Sequence, residues 1–327
     1  MTQPRFRTPH VLLGALALLF SVTLTAQDAA SRFAVAVVRA DGAIVPFAAY
    51  HDGRWREMWT AVERKRYEIP ATLDDIDRDW WRGFGPISSW WYAPPGGETT
   101  SLAVTGVRLL ATPCSGDVGL LTDLQPAADP PPERTAPYPK LGLATSARVS
   151  TTPIVPALPG SEEWRTAREV LSRSFYDLET RQLLAMRWGH PIPPRERRDT
   201  PVQLNTALHV PGSRFIYVEA TRRYRDPNPP DDQPPCPLVT FVQGFLWRND
   251  RGRLEPVSMT SLVSYCHMED AMYAWPLGAI DAGGHRYWLT QLAGWTAEGY
   301  GVLELDEEDG RVRERVWHVA GRCGRAR

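Results

Sequence analysis

The densest grouping of side chains able to hold a metal or move a proton is Cys266-His267-Met268-Glu269-Asp270. An imidazole beside two carboxylates could do either. Successive residues of a strand point to opposite faces, so His267, Glu269 and Asp270 cannot all converge if this run is extended. The cluster reads instead as a strand end held by a disulfide at Cys266. A second grouping, Asp74, Asp75, Asp77 and Asp79 in LDDIDRDWW, imitates the start of a calcium loop. Counted from Asp75, Trp80 stands where an EF-hand needs glycine and Pro86 where it needs glutamate. That run reads as a solvated acidic turn. His51, His190, His209, His285 and His318 are scattered without ligand spacing. No metal and no cofactor is assigned.

Nucleophile and phosphate motifs fail as well. The chain has no G-x-S-x-G elbow, H-E-x-x-H helix, S-x-x-K pair, phosphate loop or dinucleotide fingerprint. A hydrolytic site would have to be assembled from distant residues, as triads can be. No catalytic residue is assigned. Aromatic surface is the other chemistry on offer. Thirteen tryptophans include the doublets Trp80-Trp81 and Trp90-Trp91. A flat indole can meet the apolar face of a sugar ring, so these four are candidate glycan contacts. The same rings fill cores, because each buries a large area. On a strand, each doublet would bury one ring and turn the other outward.

The address of the chain is written at its start. Arg5 and Arg7 precede an apolar run from Val11 to Val22, and Leu24-Thr25-Ala26 ends it with a small residue. Residues 1–26 therefore read as a cleavable secretory signal peptide. The apolar run is shorter than the roughly 20 residues a spanning helix needs. No later segment reads as a membrane span, so the mature chain is expected to be soluble, periplasmic or extracellular. Losing the leader removes Arg5 and Arg7 from 37 basic residues and none of the 38 acids, leaving 35 against 38. That balance gives no phosphate-backbone affinity and argues against nucleic acid as a partner. Only Lys65 and Lys140 are lysines. The arginine bias fits a GC-rich coding sequence better than a dedicated anion site. Four cysteines, Cys114, Cys236, Cys266 and Cys323, suggest disulfides in an oxidising compartment.

The elements that would position these groups are mostly strands. Phe33–Val38 is apolar on both faces and reads as a strand buried on both. Asp41-Gly42 turns it into Ile44–Ala49. Trp90-Trp91-Tyr92 and Leu102–Leu110 read as a hairpin across Pro94–Gly97. Pro126–Pro139 interrupts the pattern, and Pro153, Pro156 and Pro159 follow. Residues 126–160 read as a proline-rich strap or linker. One helix follows, with Ser161 as N-cap, Glu162 and Glu163 at its positive end, and Trp164, Ala167, Leu171 and Phe175 as its packing stripe.

Strands then resume. Val239, Phe241, Phe245 and Trp247 share one side of a period-two run. Val257, Met259, Val263 and Tyr265 share another after a turn at Asp250-Arg251-Gly252. A hairpin between these runs would bring Cys236 to Cys266, leaving Cys114 to Cys323 by elimination. Three further strands span Arg286–Leu292, Tyr300–Leu305 and Val312–Val319. Gly42–Phe47 and Gly252–Val257 share the pattern G-x-[Ile/Leu]-x-P-[Phe/Val], and proline in a strand suits an edge or a bulge. Both copies are expected to be outer strands.

Asp281-Ala282-Gly283-Gly284, Glu298-Gly299-Tyr300 and the hairpin at Asp309-Gly310 lie between Ile280 and Cys323. This stretch resembles a degenerate FG-GAP or VCBS-like β-propeller repeat. The acidic calcium ligands of such repeats are missing, so the resemblance implies a propeller-like fold and a binding role, with no metal carried over.

The chain thus divides into residues 1–26 as leader, 27–125 as an N-terminal β region, 126–160 as strap, 161–198 as a helical insert and 199–327 as a C-terminal β region. The expected fold is mainly β with one helix, on one propeller-like scaffold. Two β-sheet domains joined by the proline-rich segment are the alternative. The expected function is non-catalytic binding or a structural role, with a glycan or an envelope protein as partner. An exported hydrolase and an envelope protein–protein module are the competing readings. Expressed with its own leader in a Gram-negative host, the protein should be recovered from the periplasm with its N-terminus near Gln27. Full-length cytoplasmic accumulation with export intact would refute this.

Overall fold

The computed structural model describes residues 31–58, 72–94, 97–112, 115–126, 129–132, 135, 137–225, 237–265, 271–294 and 297–322. The expected leader, the four cysteines and the trio His267, Glu269 and Asp270 lie outside these residues. So do the pairings Cys236–Cys266 and Cys114–Cys323. Among the described residues, no helix is long and apolar enough to cross a membrane.

The N-terminal strands close on themselves. β1 (Arg32–Arg39), β2 (Ile44–His51), β4 (Ser89–Ala93), β5 (Thr100–Thr112), β6 (Ser115–Thr122) and β7 (Lys140–Thr145) form a six-stranded barrel in the order β1-β7-β4-β5-β6-β2, shut by β1 against β2. The short β3 (Arg54–Glu57) extends β2. From Phe33 to Val38 every residue is buried, as the unbroken apolar run requires. The turn after it needs its glycine: Gly42 has φ +81°, and a Cβ there would sit 2.6 Å from the Leu124 carbonyl oxygen. Asp41 accepts the Ala43 N–H and pairs with Arg39 and Arg108, which fixes the same turn.

Two five-stranded antiparallel sheets stack beyond the barrel. A middle sheet contains β8 (Thr151–Thr152), β14 (Tyr273–Ala282), β15 (His285–Ala293), β16 (Ala297–Asp306) and β17 (Arg311–Arg322) in the order β17-β16-β15-β14-β8. An outer sheet contains β9 (Val155–Pro156), β10 (Gln203–His209), β11 (Phe215–Tyr224), β12 (Leu238–Arg248) and β13 (Leu254–Tyr265) in the order β13-β12-β11-β10-β9. Helix α1 (Glu162–Met186) covers the far face of the outer sheet, and a short helix α2 (Pro194–Asp199) follows it.

Among the described residues, four hydrophobic clusters bind these layers, the smallest joining Leu183 of α1 to Tyr224, Leu238 and Val263 of the outer sheet. Ile280, Tyr287, Tyr300 and Val302 of the middle sheet join the barrel core. Trp288, Ala279 and Leu305 on its other face meet Tyr217, Phe215 and Phe245 of the outer sheet. Val218, Ala220, Val242 and Leu246 meet Ala167, Leu171 and Phe175 of α1. The helix begins as its sequence dictates, with the Ser161 hydroxyl oxygen accepting the Trp164 N–H at 3.2 Å.

The fold is mainly β with one long helix, as expected. Its sheets show neither a ring of blades nor two separate domains: one sheet closes on itself and the others stack. Alternation reveals which residues form strands but not which strands pair, and β7 enters between β1 and β4 from far along the chain. Within 126–160, the proline-free KLGLAT run is β7, while β8 and β9 are two-residue strands.

Three local expectations change. Only β13 of the two G-x-[Ile/Leu]-x-P-[Phe/Val] strands is an edge; β2 is interior to the barrel, and Pro46 is tolerated beside a bulge where Phe47 has no opposite residue on β1. Val257 and Met259 do not share a face. Ser258 has φ +46° and, with Met259, opposes the single Gly244, so Val257 packs toward the middle sheet and Met259 toward α1. Glu298-Gly299-Tyr300 lies inside β16 and makes no turn.

Phe175 is fully buried, whereas Leu184 of the same helix is 72% exposed. Phe175→Ala should cost about 3–5 kcal/mol of unfolding free energy. Leu184→Ala should stay within about 0.5 kcal/mol. Denaturant midpoints of the two variants check this.

Candidate functional site

The middle and outer sheets do not pack flush along their whole facing area. Where β11, β12 and β13 face β14 to β17, a cleft of about 210 Å³ opens to solvent. Strand register decides what lines it. Tyr217, Phe245 and Val257 form one cross-strand row on the outer sheet, and Glu219, Gln243 and Thr260 form the next. On the middle sheet Trp288, Leu303 and Glu314 form the facing row. The bulge at Ser258 puts both Val257 and Thr260 on the cleft side. Gly244 is obligatory there, because a Cβ would meet the Ser258 carbonyl oxygen at 2.5 Å.

The cleft is aromatic at its floor and polar at one end. Trp288 is fully buried, edge-on to Phe245 at 5.6 Å between ring centres. Tyr217 is edge-on to Phe245 at 5.4 Å. The Tyr217 hydroxyl lies 2.9 Å from Glu219 Oε1 and 3.0 Å from Gln243 Oε1 as placed. Glu219 Oε1 also accepts the Ala274 N–H at 2.8 Å, which ties the outer sheet to an edge of the middle one. Burial pushes the Glu219 carboxyl above the ordinary glutamate range. Burial, with Glu219 beside it, raises the Tyr217 phenol well above its usual value. Ser258, Thr260, Thr290 and Glu314 complete the polar lining, and among the described residues no Arg, Lys or His contributes to it.

Beside the cleft, Trp317 lies across two glycines. A Cβ on Gly299 would stand 2.6 Å from the indole, and one on Gly301 3.3 Å from it. The register runs Thr290, Gly301, Trp317, so this half-buried ring is two strands from the cleft wall. Trp275, at 51% exposure, is the tryptophan most open to solvent among the large exposed apolar residues.

The tryptophans singled out in the sequence lie elsewhere. Trp81 and Trp90 are fully buried in the barrel core. Trp80 is half-buried against that core, and Trp91 is half-buried with the Arg148 guanidinium 5.4 Å from its ring. Trp80 and Trp81 stand on a 3-10 turn, Arg78–Trp81, so their different burial does not come from strand alternation. None of the four lines the cleft. The neighbouring aspartates cap backbone: Asp75 accepts from the Thr72 N–H and hydroxyl, and Asp77 from the Asp79 N–H. Among the described residues, no group of three or more His, Cys, Asp and Glu is placed to hold a metal ion.

Two further polar clusters are buried away from the cleft. Between barrel and middle sheet, Lys140 Nζ pairs with Glu298 at 2.8 Å, and the Tyr300 hydroxyl donates to the same carboxylate oxygen. Burial lowers the Lys140 ammonium from its usual value, against the pull of Glu298. Under α1, Glu179 accepts from Arg197, Tyr224 and Thr240. His190 Nδ1 accepts the Ile192 N–H at 3.0 Å, and its Nε2 lies 3.8 Å from Glu179. Both clusters are closed in by packing and read as structural pins.

The cleft residues were missed in the sequence, although a signal existed. Gln243 is the lone amide in LVTFVQGFLW, and Glu219 the lone acid in FIYVEATRRY. A polar side chain inside an otherwise apolar strand must find a partner or face a cavity. No protein-family model matches this chain, no curated protein sequence matches it, and no solved structure matches it.

Burial lowers the His190 imidazole from its ordinary value of 6.5, outweighing the pull of Glu179. The unfolded chain then binds the proton more readily than the folded one, so stability rises with pH in that window and is lost as pH falls through about 6.5. Denaturant midpoints should drop on acidification across this range, and the drop should shrink in His190→Asn.

Proposed function

We propose that this chain is an exported, non-catalytic binding scaffold whose ligand is a sugar ring, free or at the end of a glycan, held in the cleft between the middle and outer sheets. The observation that carries this reading is the meeting of an aromatic wall, Trp288 and Phe245 set edge to face, and a polar end, Tyr217 with Gln243, in one cleft open to solvent. A pyranose presents one apolar face and a rim of hydroxyls, which matches that division. Binding is favoured over hydrolysis because Glu219 is already occupied by Tyr217 and Ala274. Export follows from the leader read in residues 1–26.

Tryptophan fluorescence and calorimetric titration of the mature protein should show saturable binding of a neutral sugar. Gln243→Ala should weaken it about tenfold, the effect of one good hydrogen bond. No saturable binding across a panel of mono- and oligosaccharides would overturn the reading. Turnover of a glycoside would favour the hydrolase instead.

A further inference from the structure

We infer that the polar end of this cleft is built from hydrogen-bond acceptors, so that it selects a ligand offering hydroxyl donors, and that Glu219 sets this polarity from behind Tyr217. The inference rests on the sugar-binding reading and names what the ligand must present. It begins at Ala274, whose backbone N–H can only donate, and it donates to Glu219 Oε1. That oxygen is therefore an acceptor whether or not the carboxyl carries a proton on its other oxygen. The Tyr217 hydroxyl, 2.9 Å away, gives its proton to the same atom.

A phenol has one proton. With it committed to Glu219, Tyr217 cannot also donate to the Gln243 side chain 3.0 Å from its oxygen. The two ends of an amide are assigned by the network around them. Gln243 must therefore turn its NH2 to the Tyr217 oxygen, which swings its carbonyl oxygen toward the cleft. Among the described residues, nothing else bonds that side chain. The Thr290 hydroxyl, itself buried, gives its proton to the carbonyl of Trp275 or Gln291, at 3.2 and 3.1 Å. Thr260 points its hydroxyl at the main-chain carbonyl of Gln243 at a looser 3.4 Å. What Tyr217, Gln243 and Thr290 leave for a ligand is lone pairs, while the hydroxyls of Ser258 and Thr260 at the mouth can serve as either donor or acceptor. Glu314 adds a carboxylate, and among the described residues no cationic side chain lines the cleft to receive an anion. A neutral polyhydroxylated ring fits, and a sugar acid or sugar phosphate does not.

Glu219 is thus a positioning residue: it acts through Tyr217 and Gln243 and touches no ligand itself. The test uses methyl glucoside, methyl galactoside and methyl N-acetylglucosaminide, each beside analogues with single hydroxyls replaced by fluorine, which accepts weakly and cannot donate. Glucuronate serves as the anionic counterpart. For the wild-type protein, at least one fluorine substitution in the sugar that binds should weaken binding about tenfold, and glucuronate should not bind. Glu219→Gln keeps a carbonyl oxygen for Ala274 and Tyr217, so its hydroxyl-over-fluorine ratio should match wild type. Glu219→Met frees the phenol proton for Gln243, turns the amide NH2 to the cleft, and should bring the ratio toward one. A residue with only a structural role would change affinity without moving that ratio. If Glu219→Met does not fold, Tyr217→Phe gives the same readout, because it unfixes the amide. Fluorinated and parent sugars binding the wild type equally would overturn this inference and leave the sugar-binding reading standing. Failure of every parent sugar would overturn both.

Discussion

Between Lys140 and Pro156 the chain pairs in turn with each of the three sheets. β7 completes the barrel between β1 and β4, β8 joins the edge of the middle sheet at Ala279 and Ile280, and β9 joins the edge of the outer sheet at Leu208 and His209. The rest of the architecture depends on this stitch. It fixes the order of the layers, and the buried Lys140–Glu298 pair locks the first joint. Breaking one partner of such a pair leaves an uncompensated buried charge, so the joint is far costlier to lose than an exposed ion pair. The barrel lies on one side of the middle sheet and α1 beyond the outer sheet, so each of these two sheets packs on both faces. The cleft exists because the two sheets are held at a distance set by large rings, Trp288, Tyr217 and Phe245, which do not fill the facing area to its end.

Much of this was legible in the residues. Phe33–Val38 declared burial on both faces by having no polar member. Ser161 with Glu162 and Glu163 marked the start of α1. The Asp41-Gly42 and Asp309-Gly310 turns were placed by residues that favour turns. What could not be read was partner order. Ala36 pairs with Ala144 across most of the N-terminal half, and no local pattern encodes a contact at that range. The proline-rich stretch hid β7 because density of proline was read over the whole segment, although Lys140–Thr145 itself contains none. The alternation of β13 misled at Ser258, where a left-handed residue that is not glycine gives no sequence warning of a bulge.

The candidate site was legible only in hindsight. Tryptophan doublets drew attention because they are conspicuous, yet Trp81 and Trp90 serve the barrel core. The cleft draws one to three residues from each of seven strands, each ordinary in its own context. Gln243 and Glu219 were the traceable ones: a polar group stranded in an apolar run has a desolvation cost that only a partner or a cavity offsets.

The pairing of β1 with β7 also bears on how the chain acquires its shape as it is made. Ala36 and Ala144 are 108 positions apart. A chain emerging N-terminus first presents β1 and β2 as an isolated hairpin, marginal in water, long before the strand that closes the barrel exists. Closure of so large a loop is entropically costly and topologically slow. Until then β1 carries an apolar surface with one unpaired edge, the condition under which strands pair wrongly with other chains. The N-terminal third is therefore the part of the chain that must stay unpaired longest while the protein is made.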